Sequence, residues 1–193
     1  MPDYYVLSCD YPYNDIGGTI DVDDGIEIPG IRSWRIGRRF TVPVPNPIVL
    51  DATPTGGYDG PPMEMFRGRL LLMTERLVKA LREAGVDNVD TYPAVLRNTE
   101  TGQTYAYVAV NLIGLVAAAD LGKSDVTVHD EMPLLDASFE SLALREGAPK
   151  GTLLFRLAEN NSTILVHAKV RDHILASGIT TMKFIEPKNW VHV

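Results

Sequence analysis

The sequence predicts an α+β fold with a mainly antiparallel β-sheet and two principal helices. Two stretches, residues 75–85 and 168–178, repeat apolar residues at helical spacing, each directly after an apolar run. Several other apolar runs are separated by short turns, which is typical of hairpins. The apolar fraction of 45% and the charged fraction of 22% are ordinary for a globular protein. No apolar run reaches the roughly 20 residues of a membrane span.

The N-terminal third predicts short strands in an irregular segment. A strand is expected at "YYVLSC" (4–9), and strand pieces broken by glycine at "TIDVDDGIEIPGI" (19–31). Prolines cannot donate to a ladder, so "FTVPVPNPIVLD" (40–51) is expected at a sheet edge or in polyproline conformation. "ATPTGGYDGPPME" (52–64) is predicted to be a long loop. We therefore divide the chain into an acidic, then Pro/Gly-rich segment, residues 1–66, and an α+β domain, residues 67–193.

The second part predicts regular elements. A buried strand is expected at "RGRLLLM" (67–73), followed by a helix that Thr74 caps and Gly85 ends. "GTLLFRLAENNSTILVH" predicts a hairpin that turns at Asn160 and Asn161, before the second helix. Further strands are expected at residues 91–98, 103–116, 123–132 and 139–144.

An internal similarity joins the two helical stretches. Residues 72–86 align without gaps on residues 165–179. The matched apolar positions are Leu77 and Leu81 in the first stretch and Val170 and Ile174 in the second. This pattern predicts two similar strand–helix units that each bury a helix against a sheet. His167 stands where Thr74 stands, so it is expected to cap its helix.

The search for catalytic and metal motifs predicts neither a catalytic residue nor a cofactor. The four histidines form no zinc-binding spacing. Gly122-Lys123-Ser124 lacks the glycine of a phosphate loop, because Ala117 stands there and a strand pattern follows. Cys9, the single cysteine, excludes an intrachain disulfide, fits a reducing cytoplasm and is expected to be buried. A small enzyme with a carboxylate-based site beneath "GGYDGPP" stays an alternative.

Charge is concentrated at the start of the chain. Residues 1–31 carry seven carboxylates and no Lys or Arg, and the whole chain has a net charge of −7. The seven are Asp3, Asp10, Asp15, Asp21, Asp23, Asp24 and Glu27. An acidic segment repels nucleic acid and steers toward a basic partner. The arginines of "RSWRIGRR" (32–39) are interpreted as neutralising this segment in the fold.

The densest acidic stretch, "TIDVDDG", does not match a calcium loop. Counted from Asp21, the position that needs a turn glycine holds Ile26, and the last ligand position holds Arg32. No metal site is therefore predicted. A solvated turn and a contact surface for another protein both remain open.

The later sequence resembles a bacterial family. The resemblance rests on "LLLMTERLVKALREAGVDNVDTYPAVL", "YAYVAVNLIGLVAAADLGKSD", "LLFRLAE" and "ILVHAKVRDHILASGITTMKF". These stretches are similar to immunity protein family 11 of polymorphic toxin systems, from about Arg67 onward. The resemblance implies a non-enzymatic cytoplasmic protein that neutralises a cognate toxin, encoded by the adjacent gene and linked to type VI secretion. An adaptor for a secreted effector is the alternative binding role.

Such an inhibitor needs a surface complementary to its target. We expect the partner-binding residues among the acidic side chains and the glycine-rich loop: Asp15, Asp21, Asp23, Asp24, Glu27, Tyr58 and Asp59. Many intracellular toxins have basic clefts, which an acidic segment would fill. Neither nucleic acid nor a membrane is expected as a partner.

Overall fold

The computed structural model describes residues 3–10, 17–129 and 136–191. The first half contains β1 (Tyr4–Cys9), β2 (Ile20–Val22), β3 (Ile48–Pro54), β4 (Met65–Arg67), β5 (Leu71–Met73), α1 (Glu75–Glu83) and β6 (Val89–Asn98). The second half contains β7 (Thr104–Leu112), β8 (Leu115–Val116), β9 (Asp125–His129), β10 (Asp136–Ser141), β11 (Leu154–Leu157), β12 (Ile164–His167), α2 (Ala168–Ala176) and β13 (Met182–Ile185). Both α-helices have nine residues. In the described ranges, no helix has the length and apolar character needed to cross a membrane.

The strands of the described residues form three sheets. The largest has the order β2-β3-β6-β7-β5-β4, and the second has the order β13-β1-β12-β11-β8. The third consists of β9 and β10. Two neighbouring pairs, β3 with β6 and β8 with β11, are parallel, and the others are antiparallel. The predicted α+β class with mainly antiparallel sheet is confirmed.

The five-stranded sheet separates two apolar cores. Successive strand residues point to opposite faces, so Tyr5 and Leu7 of β1 face the main core while Tyr4 and Val6 face a smaller one. The main core also takes the inner faces of both helices and of the six-stranded sheet. Cys9 is buried in it, as predicted.

Local signals set the helix ends where the sequence predicts them. The Thr74 hydroxyl accepts a hydrogen bond from the Leu77 amide (3.4 Å), and His167 Nδ1 accepts one from the Lys169 amide (3.1 Å). Gly85 adopts φ 101° directly after α1, a conformation that costs glycine little. The predicted hairpins β6–β7 and β11–β12 are also present.

Four strand predictions need correction. Residues 103–116 form β7 and β8, which lie in different sheets, rather than one long strand. Residues 48–51 belong to β3, an interior strand between β2 and β6, because the three prolines all precede Ile48. Residues 67–73 form two strands rather than one, since Gly68–Leu70 turn the chain between β4 and β5. In residues 19–31 only β2 is a strand.

Strands from both sides of residue 66 share the two large sheets. β1 pairs with β12 and β13, and β3 pairs with β6. β4 itself spans the expected boundary between residues 66 and 67. Residues before and after position 66 therefore contribute strands to the same two sheets.

Candidate partner-binding surface

The stretch "DVDDG" begins on an edge strand and ends in a turn. β2 is the outermost strand of the six-stranded sheet, and Asp21 is exposed on it. The Asp23 amide donates to the Asp51 carbonyl (2.9 Å), and Asp23 Oδ1 accepts from the Gly25 amide (3.1 Å). The Asp23 side chain is otherwise exposed. Backbone contacts thus fix a turn that presents two carboxylates to solvent.

Asp24 has a structural contact as well as a charge. Its Oδ2 accepts a hydrogen bond from the Leu70 amide (3.3 Å), across 46 residues of sequence. A Cβ on Gly68 would lie 1.6 Å from the same oxygen. A side chain at position 68 would therefore displace the Asp24 carboxylate, which is half-buried against the turn Gly68–Leu70, and we name this turn the β4–β5 turn.

Arg35 holds the β4–β5 turn through a second contact. Its Nη2 and Nε donate to the Gly68 carbonyl, at 2.5 and 3.2 Å. The turn therefore receives a carboxylate contact from Asp24 and a guanidinium contact from Arg35. Charge-assisted hydrogen bonds of this kind are about twice as strong as neutral ones.

Two concave surfaces lie at the β4–β5 turn. The first, of about 290 Å³, includes Asp21, Asp24 and Arg67, and we name it the acidic cleft. The second, of about 620 Å³, has Glu27, Arg32, Arg35 and Arg69 in its wall, and we name it the arginine groove. Gly68 belongs to the first wall, and Arg69 and Leu70 belong to the second. The turn is thus a partition between surfaces of different charge.

The arginines do not pair directly with the acidic segment. Arg39 forms its ion pair with Asp90 (2.5 Å), and Asp10 pairs with Lys183. Within the described ranges, no ion pair joins the arginines of residues 32–39 to the carboxylates of residues 1–31. Between the described residues, neutralisation of the acidic segment therefore does not take the form of direct ion pairs, because Arg35 holds the turn and Arg39 reaches β6.

Positive charge extends behind the groove. Arg156 of β11 is buried, and its Nη1 donates to the Asn161 carbonyl (2.9 Å). Burial, with smaller effects from the nearby charges of Arg35 and Arg67, lowers the pKa of Arg156 to about 10. The lowered pKa reflects mainly the burial of the guanidinium, and the two neighbouring arginines add to it.

The remaining predicted contact residues are placed differently. Tyr58 is buried, and its hydroxyl donates to the Pro61 carbonyl (2.9 Å), so it closes its own loop. Burial raises the pKa of Tyr58, with a smaller effect from Asp59. Asp59 is exposed, and Asp15 lies outside the described residues. The structure gathers Asp21, Asp24 and Glu27 around the β4–β5 turn, and it turns Tyr58 away from solvent.

The buried carboxylate below the glycine-rich loop has a structural partner on each oxygen. Glu64 Oε2 accepts from the Thr74 hydroxyl, and Oε1 accepts from Arg76 Nε (2.7 Å). In the part of the chain that is described, no group of three His, Cys, Asp or Glu residues is placed to hold a metal ion. Glu64 therefore anchors the start of α1.

Sequence reasoning missed Arg67 and Arg69 as surface residues. They flank Gly68 in "RGR", which the sequence pattern predicts to be the start of a strand. The available signal was that glycine, because a Gly inside a strand pattern often marks a close backbone approach.

A comparison with models of known protein families identifies a family that matches most of the chain. A model described as "Immunity protein family (Imm11)" matches residues 13–189. The match begins at residue 13, well before Arg67, the start of the resemblance that the sequence predicts. It therefore includes the acidic cleft and the arginine groove. No curated protein matches the chain.

Proposed function

The chain belongs to the Imm11 immunity protein family, and we propose that it binds a cognate bacterial toxin and neutralises it without catalysis. The observation that carries the proposal is the family match, which covers 177 residues, 13 through 189, of a chain of 193. We further propose that the toxin is encoded by the adjacent gene and delivered by type VI secretion. The protein would act in the cytoplasm, with neither nucleic acid nor a membrane as partner.

The exposed carboxylates support a binding mechanism. Asp21 and Asp23 are exposed, and neither forms an ion pair within the described ranges. Exposed charge of one sign raises the rate at which an oppositely charged partner associates, by about 10-fold to 1,000-fold at low salt. The proposed contact set is Asp15, Asp21, Asp23, Asp24, Glu27, Tyr58 and Asp59, with Tyr58 acting through the shape of its loop.

The first experiment is co-expression of this protein with the product of the adjacent gene, followed by co-purification and a growth assay. Rescued growth together with a stable complex is the expected result. Binding without rescue would instead favour the adaptor role, in which the protein carries an effector to the secretion machinery. Absence of both binding and rescue would contradict the proposal.

A charge-reversal variant then tests the surface. Asp21→Lys/Asp23→Lys leaves Asp24 and its hydrogen bond to Leu70 in place, and we expect an association rate about tenfold lower at low salt. Glu100→Lys/Glu140→Lys is the matched control, since both glutamates are exposed elsewhere. Stopped-flow association at two salt concentrations makes the measurement. Equal association rates for the two double variants would show that Asp21 and Asp23 are not part of the contact surface.

A further inference from the structure

We propose that the arginine groove binds an acidic segment of the toxin, while the acidic cleft across the β4–β5 turn receives a basic one. This inference rests on the proposed function and adds the kind of partner surface that fits. The proposed contact surface on this protein then has one acidic and one basic part, instead of being purely acidic. The partner must therefore present a carboxylate and a cation side by side.

The groove has the size and wall of a contact site for a side chain. Its volume of about 620 Å³ exceeds that of the acidic cleft, about 290 Å³. Apolar atoms of Ile26, Ile31 and Pro29 stand beside guanidinium groups in the wall, and Trp34 is buried below them. A mixed apolar and charged wall suits a peptide segment, because both its side-chain carbons and its carboxylate find a complement.

The charge of the groove favours a carboxylate. Arg32 and Arg69 are exposed, and no ion pair occupies either of them within the described ranges. Glu27 is the one carboxylate among the groove's lining residues, against three arginines. An arginine binds a carboxylate with two parallel hydrogen bonds, which fixes direction as well as adding affinity.

The contacts of the β4–β5 turn give the two surfaces a fixed separation. Asp24 and Arg35 both bond the backbone of the turn, at the Leu70 amide and the Gly68 carbonyl. Because two charge-assisted contacts hold the β4–β5 turn, the distance between the two charged surfaces is fixed. The order of charges then selects one orientation of the partner, because a reversed partner would place like charges together.

The neighbouring carboxylates argue for a protein segment over a nucleic acid. A polyanion in the arginine groove would meet Glu27 in the wall and would lie across the β4–β5 turn from Asp21 and Asp24, and the chain as a whole carries −7. Repulsion from these groups opposes a chain of phosphates. A single carboxylate that lies next to basic residues has no such conflict.

The test uses the product of the adjacent gene as the probe, with affinity measured by calorimetry. Arg32→Glu/Arg69→Glu is expected to weaken binding at least tenfold, because two favourable contacts become like-charge contacts. Lys79→Glu on the exposed face of α1 is the single-site control, and it should change affinity less than twofold. Unchanged thermal unfolding of the double variant shows that it is folded.

Compensation identifies the partner's acidic residue. In the probe, each exposed Asp or Glu is changed to Lys in turn, and one such variant should restore binding to Arg32→Glu/Arg69→Glu while weakening binding to the wild type.

If wild type binds and rescues growth but Arg32→Glu/Arg69→Glu binds equally well, the groove inference fails and the proposed function stands. If a labelled single-stranded oligonucleotide binds wild type and not the double variant, the groove is a phosphate site and the inference is overturned. If wild type itself does not bind the probe, the proposed function fails.

Discussion

The two strand–helix units, β5–α1 and β12–α2, align residue for residue and yet are stabilised differently. Their helices pack against each other. Helix α1 buries Leu77, Val78, Ala80 and Leu81, whereas α2 buries Val170 and Ile174. In α2 the Leu175 side chain is 44% exposed. The same sequence pattern thus produces one helix with a broad buried face and one that is more peripheral.

The caps show the same contrast. Thr74 bonds the Leu77 amide and also donates to the buried carboxylate of Glu64, which Arg76 contacts from the other side. His167 caps α2 with Nδ1 alone, on a half-exposed ring. The first unit therefore combines its cap with a polar cluster of Glu64, Thr74 and Arg76 in which Glu64 is buried, and the second has a local cap whose ring contacts Tyr4 edge-on. We infer that the first unit contributes more to the stability of the whole chain.

Truncation of matched core residues should show the largest difference. Leu77→Ala is expected to lower the free energy of unfolding by about 3 kcal/mol, because a fully buried leucine leaves a cavity. Val170→Ala at the aligned position should cost about 2 kcal/mol, since it removes fewer buried carbons. Urea denaturation measures both. The exposed Leu175→Ala is the control, with less than about 0.5 kcal/mol expected. A cost for Val170→Ala above that of Leu77→Ala would contradict the ranking.

Local sequence signals predicted the helices because their causes are local. Thr74, His167 and Gly85 act within one helical turn of themselves, and their roles follow from residue type and position. The position of β3 was missed for the opposite reason. The three prolines at positions 43, 45 and 47 restrict only the backbone that precedes Ile48. The interior position of β3 depends on its parallel pairing with β6, whose residues are distant in sequence.

The candidate surface was predictable in part. The charge count correctly singled out Asp21 and Asp23 as exposed carboxylates. It did not reveal the β4–β5 turn, because contacts from Asp24 and Arg35 to that turn join residues 46 and 33 positions apart. Composition treats arginines near acidic residues as counter-charges. The folded chain instead places Asp21 and Asp24 in one concave surface and most of the nearby arginines in another.

Removal of the caps should give a smaller contrast than truncation of the core. Thr74→Ala is expected to cost about 2 kcal/mol, because the Leu77 amide loses its acceptor and Glu64 loses a buried donor. His167→Ala should cost about 0.5 to 1 kcal/mol, since its half-exposed site lets water replace the ring nitrogen. Chemical denaturation at neutral pH compares them. Thr74→Ser, which keeps the hydroxyl, should recover most of the stability. Equal costs for the two alanine variants would show that the polar cluster adds nothing to the cap.

A buried tyrosine beside the first unit should also give the protein an alkaline limit. The Tyr107 hydroxyl, on the strand beside β5, donates to the Met63 carbonyl. Burial, with a smaller effect from the Glu64 charge, holds the pKa of Tyr107 far above its usual value of 10. In the unfolded chain this tyrosine ionises from about pH 10. Its contribution to stability is therefore complete below pH 10 and declines by about 1.4 kcal/mol per pH unit above it.

Tyr107→Phe tests this pH dependence. At pH 8 the free energy of unfolding of the variant should be about 1 kcal/mol lower, because the Met63 carbonyl loses its donor. Between pH 10 and pH 11 its stability should fall less steeply than that of the wild type. Denaturation curves at pH 8, 10 and 11 measure the two slopes. Tyr105→Phe is the control on the same strand, because its hydroxyl bonds the exposed Gln103 side chain (3.2 Å). Parallel pH profiles for wild type and Tyr107→Phe would mean that the alkaline loss arises elsewhere, and the two strand–helix units would then differ in burial and capping alone.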